Sequence, residues 1–200
     1  DTNVQRKNWS SLLRALVPVL EAHPQAIFLM HTRSSDEGGD LRDVWSHAPI
    51  GVRRRMVNTG FKDRGFILPR AELCALYNAA DIYVSSSAEG FGLTIAEAMA
   101  CGVPAVGMDY SSVPEVIGTT GRLAPVEHLI DNPYAHMWAK MDEQVFADCV
   151  NELLDGQRKR ERLGQRAAEH IRRTFDWSTA ARQFSGLFAE AIRPSLEVVA

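Results

Sequence analysis

The 200-residue chain carries 22 Lys and Arg against 25 Asp and Glu, a formal net charge of −3. Hydrophobic residues make up 46% and charged residues 24%, near globular averages, which excludes disorder and low-complexity behaviour. The slight negative balance excludes a general attraction to nucleic acid or to anionic lipid.

The length fits one compact α/β domain, spanning 1–200, with roughly 70% of the unfolded surface buried and no need of staples. Apolar runs such as 26–30 and 103–106 fall far short of the roughly 18 residues of a membrane span. Cys74, Cys101 and Cys149 stand far apart without a CxxC pair. They read as reduced core thiols of a cytoplasmic protein rather than a disulfide framework or a zinc site. The chain opens at Asp1 without Met, charged leader or apolar signal core, and reads as a piece of a longer protein.

Trp9, Leu12, Leu13, Leu16, Val17 and Leu20 repeat at helical spacing and predict a helix over 9–20, bent or limited by Pro18. A buried strand is expected over 26–30, and the run SSDEGGD at 34–40 has the composition of a mobile loop. A short helix over 41–47 and a weak strand over 55–57 follow. The triple Arg53-Arg54-Arg55 reads as a solvated edge rather than a nucleic-acid patch. Leu73, Leu76, Tyr77 and Ala80 share one face of a predicted helix over 71–80. Strands over 82–85 and 104–107 bracket a helix over 93–101, and 122–124 is a last short strand. Helices over 143–154, 158–170 and 178–192 end the chain. Such alternation predicts βαβ units and a Rossmann-like, doubly wound parallel sheet flanked by helices. Ligands of such sheets lie at the carboxyl ends of the strands.

The stretch that carries chemistry is DIYVSSSAEGFGLTIAEAMACGVP at 81–104. A strand runs into a small-residue loop, then Glu89, Gly90, Phe91 and Gly92, with a helix beginning near Leu93 and Thr94. The glycines let a ligand approach the backbone, and the first helical amides and dipole favour a phosphate. A tight strand-to-helix turn without any ligand is the plainer explanation of the glycines alone. Glu97 sits about one turn into the helix, where its charge gains about 0.3–1 kcal/mol. Flanking Ala96, Ala98, Met99 and Ala100 predict a buried helix, in which a carboxylate needs a partner or a ligand. Vicinal hydroxyls of a ribose or sugar fit that need. His23, His31, His47, His128, His136 and His170 are scattered, so no metal site is expected; only His31, at a strand end, falls near such a cleft.

The string EGFGLTIAEAMACGVPAV, with LYNAADIYVSSS before it and VPEVIGTTGRLA after it, resembles the donor-binding half of the retaining two-domain glycosyltransferases of family four (group 1, GT-B fold). Glu89 and Glu97 match the family's E-x7-E motif, and Lys7 in QRKN matches its diphosphate-binding lysine. The resemblance runs over most of the chain, to Phe175-Asp176-Trp177. It implies that Glu97 binds the ribose hydroxyls of a UDP-, GDP- or ADP-sugar and that Glu89 and Lys7 are catalytic. Glu89 would sit beside the transferred sugar, and Lys7 would neutralise the diphosphate. The backbone of Gly90, Phe91, Gly92, Leu93 and Thr94 would contact sugar and diphosphate. The loop 66–72 would cradle the base, with Leu68 or Pro69 against its face, although the glycine usual near Phe66 stands at Gly65.

The resemblance further implies transfer with retention, no metal and no cofactor beyond the donor. It also implies a first strand and an N-terminal acceptor-binding domain ahead of Asp1, so this piece alone is expected to be inactive in transfer. The family's second basic residue falls upstream as well, with Arg6 expected to point away from the site. The acceptor is a glycan, a lipid or a small molecule, and a lipid acceptor would make the full-length protein peripheral to a membrane. Two other readings stay open: a nucleotide-sugar epimerase or phosphorylase of the same fold, and a non-catalytic nucleotide-binding module. A phosphorylase needs a lysine for a pyridoxal group, and only Lys7, Lys62, Lys140 and Lys159 are present. In the third reading the aromatic insert 131–138 (DNPYAHMW) is a docking surface or lid, against a plainer role packing over the sheet edge.

Overall fold

The computed structural model describes residues 3–59, 68–131 and 137–192. A turn of 3-10 helix, Gln5–Lys7, leads into helix α1 (Trp9–Ala22), strand β1 (Phe28–Met30), and a hairpin of β2 (Ser35–Asp36) and β3 (Gly39–Asp40). Helices α2 (Leu41–Ser46) and α3 (Ile50–Arg53) precede β4 (Met56–Asn58). Then come α4 (Arg70–Asn78), β5 (Tyr83–Ser85), α5 (Leu93–Ala100), β6 (Ala105–Met108), α6 (Val113–Ile117) and β7 (Arg122–Ala124). A hairpin of β8 (Val126–Asp131) and β9 (Met137–Met141) leads to α7 (Glu143–Asp155), α8 (Gln157–Thr174) and α9 (Trp177–Ala191).

The architecture is the expected one: parallel strands flanked by helices. β5, β6 and β7 form a parallel sheet in that order, with Tyr83 opposite Ala105 and Gly107 opposite Leu123. All four residues of β6 are buried, as a central parallel strand covered on both faces requires. β1 pairs in parallel with β4, Phe28 opposite Met56. Among the described residues these two parallel units share no ladder. Between β1 and β5 lies a cavity of about 790 Å³, with Leu12 and Leu16 of α1 and Leu73 and Leu76 of α4 in its walls.

Helix α1 joins two cores. Leu12, Leu16 and Val19 pack with Val106, Met108 and Phe146, while Leu13 and Leu20 pack with Met30, Leu41 and Met56. Pro18 lies inside the helix and does not end it, and the helix runs four residues further to Ala22. A third cluster joins Ile95 and Met99 of α5 to Val113 and Ile117 of α6 and Ala167 of α8.

Several expectations are corrected. Residues 34–40 form a two-rung hairpin, with Ser35 opposite Asp40, pinned where Asn3 Nδ2 donates to the Gly39 carbonyl (2.7 Å). Arg55 is no solvated edge residue: its guanidinium donates to the carbonyls of Leu20 (2.5 Å), His23 (2.9 Å) and Ala26 (3.0 Å) and satisfies the end of α1. Cys74 is an exposed thiol and not a core one, while Cys101 and Cys149 are half-buried. Helix α4 forms as expected but buries none of its residues, because its apolar face looks into the cavity. Helix α9 buries none either, leaving Trp177, Phe184, Leu187 and Phe188 exposed. The aromatic insert is flanked by the β8·β9 ladder, Asp131 opposite Met137, and its centre lies outside the described residues. No helix among the described residues is long and apolar enough to cross a membrane.

One glycine carries the α5–α8 contact. A Cβ on Gly164 would collide with the Gly102 carbonyl oxygen and approach Pro104 Cδ to 3.3 Å, so backbone would have to move. Gly164→Ala is expected to destabilise by at least about 1–3 kcal/mol, lowering the melting temperature by several degrees at about 2–4 °C per kcal/mol. Gly51→Ala meets nothing within 4 Å, lies in α3, and is expected to leave the melting curve unchanged or raise it.

Candidate functional site

The site is assembled where the first described turn meets the loop after β5. Ser86 Oγ donates to the Lys7 carbonyl (2.7 Å), and Asn8 Nδ2 donates to the Ser86 carbonyl (3.1 Å) and the Ala139 carbonyl (2.8 Å). Asn8 adopts a left-handed backbone, φ 50°, which turns the chain from the 3-10 turn into α1. This backbone stitching holds Lys7 over the carboxyl end of β5, although 82 residues separate it from Glu89.

Lys7 Nζ donates to Glu89 Oε1 at 2.5 Å, and both side chains are largely buried, 7% and 13% exposed. Ser87 Oγ donates to the same carboxylate oxygen (2.7 Å). Arg6 does not point away: its Nη1 donates to Glu89 Oε2 (3.2 Å) and to the Ala88 carbonyl (3.0 Å). Both neighbours reach Glu89 because its two oxygens accept separately, Oε1 from Lys7 and Oε2 from Arg6. Burial would raise the Glu89 carboxyl, but hydrogen bonds from Lys7 and Ser87 and the charges of Lys7 and Arg6 outweigh it. Glu89 is held below the usual carboxylate range. Burial lowers the Lys7 ammonium from its ordinary value, and Glu89 offsets this only in part.

The glycine loop turns the chain from β5 into α5. Gly92 adopts φ 93° and N-caps α5, a conformation that side chains rarely take, and a Cβ there would also crowd Ile95 Cδ1 at 3.1 Å. A Cβ on Gly90 would meet nothing within 4 Å. Leu93 is 68% exposed and its side chain is turned outward. Phe91 stacks edge-on against Phe175 (5.2 Å between ring centroids), which ties the loop to the end of α8.

Glu97 requires a correction. It is exposed, because α5 buries Ile95, Ala96, Ala98 and Met99 on its other faces. It is nevertheless partnered: the Tyr77 hydroxyl donates to Glu97 Oε2 at 2.9 Å. The Tyr83 hydroxyl donates to Thr94 Oγ1 at 2.8 Å, and burial pushes the Tyr83 phenol up to about 12. Lys7, Thr94 and Glu97 border one cavity with His31, Ser87 and Leu68. Pro69 is exposed at the N-cap of α4, while Gly65, Phe66 and Ile67 lie outside the described residues.

Ser111 and Ser112 were not singled out from the sequence. Both hydroxyls donate to the Glu89 carbonyl, at 2.6 and 2.7 Å, and fix the loop from outside. The available signal was the pair of serines ahead of Val113-Pro114, a serine turn before a helix. Among the described residues, no group of three His, Cys, Asp or Glu is placed to hold a metal ion. Lys140 and Lys159 are taken up by Glu127 and Glu152, and Lys62 lies outside the described residues.

Comparison with known proteins bears on the family and the fold. The family model described as "Glycosyl transferases group 1" matches residues 2–155. The D-inositol 3-phosphate glycosyltransferase of Corynebacterium glutamicum is 39% identical over 157 residues, covering 75% of this chain and 32% of that protein. The chain thus spans about a third of the length of that curated relative. Among solved structures, the C-terminal domain of the group 1 glycosyl transferase LpcC of Francisella tularensis superposes with a TM-score of 0.70. That match has 19% identity and covers 88% of this chain and 83% of that one. Anabaena HepE in complex with UDP also gives 0.70 at 20% identity, covering 95% of this chain and 47% of that one.

Proposed function

Because the chain belongs to the group 1 glycosyl transferases and folds as their C-terminal GT-B domain, we propose that it is the donor-binding unit of a retaining, metal-independent enzyme. In this reading a nucleoside diphosphate sugar lies across the carboxyl end of β5. The acceptor, whether glycan, lipid or small molecule, is held by an N-terminal domain of the same protein, and transfer needs both domains. The enzyme works in the cytoplasm, on the membrane surface if its acceptor is a lipid.

The observation that carries the reading is the buried Lys7–Glu89 pair set beside the Gly92-capped start of α5. Breaking the bond from anomeric carbon to phosphate builds negative charge on the diphosphate and positive charge on the sugar ring. Lys7, Arg6 and the first amides of α5 are preorganised donors for the former. Glu89, ionised at neutral pH, stabilises the latter. Glu97, with one oxygen engaged by Tyr77, turns the other to the ribose hydroxyls. Leu68 and Pro69, at the head of α4, face the base.

A thermal-shift panel of UDP-, GDP- and ADP-sugars, each with a divalent ion and with a chelator, tests this. The matching donor at 100 times its dissociation constant is expected to stabilise by about 2.7 kcal/mol. UDP-sugars head the panel, since HepE has been solved with UDP. The shift is expected to survive chelation. Binding that needs the divalent ion would overturn the metal-free reading, and no shift with any donor would overturn donor binding itself.

A further inference from the structure

We infer that Tyr77 is a positioning residue for nucleotide recognition: its hydroxyl aims the Glu97 carboxylate at the ribose. The inference rests on the donor-binding reading above and adds a residue to it.

A glutamate on the exposed side of a helix samples several rotamers, and fixing its side chain for a ligand carries an entropic cost. Glu97 is such a residue, with α5 burying its other faces. The Tyr77 hydroxyl donates to Glu97 Oε2 at 2.9 Å. Among the described residues no second side chain hydrogen-bonds this carboxylate, so Oε1 keeps its lone pairs for a ligand. The phenol is suited to stay protonated as the donor, because burial, and then the hydrogen bond to Glu97, raise its pKa.

The tyrosine is itself held. Its ring meets Tyr83 edge-on, 6.1 Å between centroids and 61° between planes, and Tyr83 is fixed by its bond to Thr94. Tyr77, Thr94 and Glu97 all border the same cavity. Leu68 and Pro69 stand at the other end of the tyrosine's own helix, so α4 links the groups for base and ribose. Tyr77 spends its single donor on an otherwise unheld carboxylate.

The test uses the full-length protein and two probes: UDP and its 2′,3′-dideoxy analogue, or the GDP or ADP pair if the panel selects that base. Calorimetry on the wild type is expected to show a preference for the ribose form of about tenfold or more. Tyr77→Phe keeps the ring and is expected to weaken the ribose form several-fold while leaving the dideoxy form unchanged, so the preference collapses toward one. In the background of Glu97→Gln, Tyr77→Phe is expected to add nothing further. If Tyr77→Phe weakens both probes equally, or changes only the melting temperature, Tyr77 is structural and the inference fails. If the wild type does not prefer ribose, the role given to Glu97 fails instead.

Discussion

Glu89→Gln in the full-length protein is expected to lower turnover roughly 100-fold or more while bare nucleoside diphosphate binds equally well or more tightly. The first half follows from removing a preorganised charge needed mainly in the transition state, a change of about 10²–10³ in comparable cases. The second half follows from the geometry. Without ligand, the Glu89 carboxylate holds Lys7 at 2.5 Å and Arg6 at 3.2 Å. A diphosphate must compete for those cations with a carboxylate already in place. Neutralising the carboxylate removes the competitor and leaves a buried ammonium short of an anion, so the ligand gains what Glu89 lost. The apo variant is accordingly expected to melt lower than wild type, and diphosphate is expected to restore more of that loss than it adds to wild type. Measured kcat, calorimetry with bare diphosphate, and melting curves with and without ligand decide the matter together. Loss of bare-diphosphate binding in Glu89→Gln would instead mean that Glu89 serves the nucleotide, and the division of labour between the two glutamates would be reversed.

The parts of the molecule that the sequence announced are those with enough turns to show a period. Helix α1 repeats its apolar residues over fourteen positions, and α7, α8 and α9 run to thirteen, eighteen and fifteen, so spacing alone located them. Helices α3 and α6 have four and five residues, barely one turn, and carry no period to read. β8 exposes nearly every residue, and without alternation a hairpin strand looks like a loop. The glycine loop was legible because Gly92 needs a positive φ that few other residues take. Lys7 was legible only through resemblance, since nothing local at Gln5–Asn8 tells of a carboxylate 82 residues away. Arg6 was hidden for the same reason, and Ser111 and Ser112 announced only a turn: their contacts to Glu89 and its loop are made by folding and not by spacing. Glu97 failed differently. Its alanine neighbours made the helix look buried all round, yet three of its sides are enough to bury Ile95, Ala98 and Met99.

Lys7→Ala is expected to weaken nucleoside diphosphate binding about 10- to 100-fold, as loss of a charge-assisted hydrogen bond worth roughly 1.5–3 kcal/mol implies. Binding of the free nucleoside, which presents ribose and base but no phosphate, is expected to change little. The separation between the two ligands is what gives the experiment force. Lys7 is largely buried and backed by Ser86 and Asn8 through the main chain, so removing its side chain should not dismantle the turn that carries it. Arg6 remains at Glu89 Oε2 and Ser87 at Oε1, so the carboxylate keeps two of its donors and the fold does not acquire a naked buried charge. Glu89 nevertheless loses the hydrogen bond that contributes most to holding it below the usual carboxylate range, and its pKa should rise in the variant. That shift gives a second readout, a carboxylate titration followed by NMR, which depends on the pair and not on any ligand. Arg6→Ala is the useful contrast: its side chain is 46% exposed, solvent already screens it, and a smaller loss is expected. Equal weakening of nucleoside and nucleoside diphosphate by Lys7→Ala would show that the buried ammonium serves only to neutralise Glu89, and the diphosphate would have to be met by the helix amides and Arg6 alone.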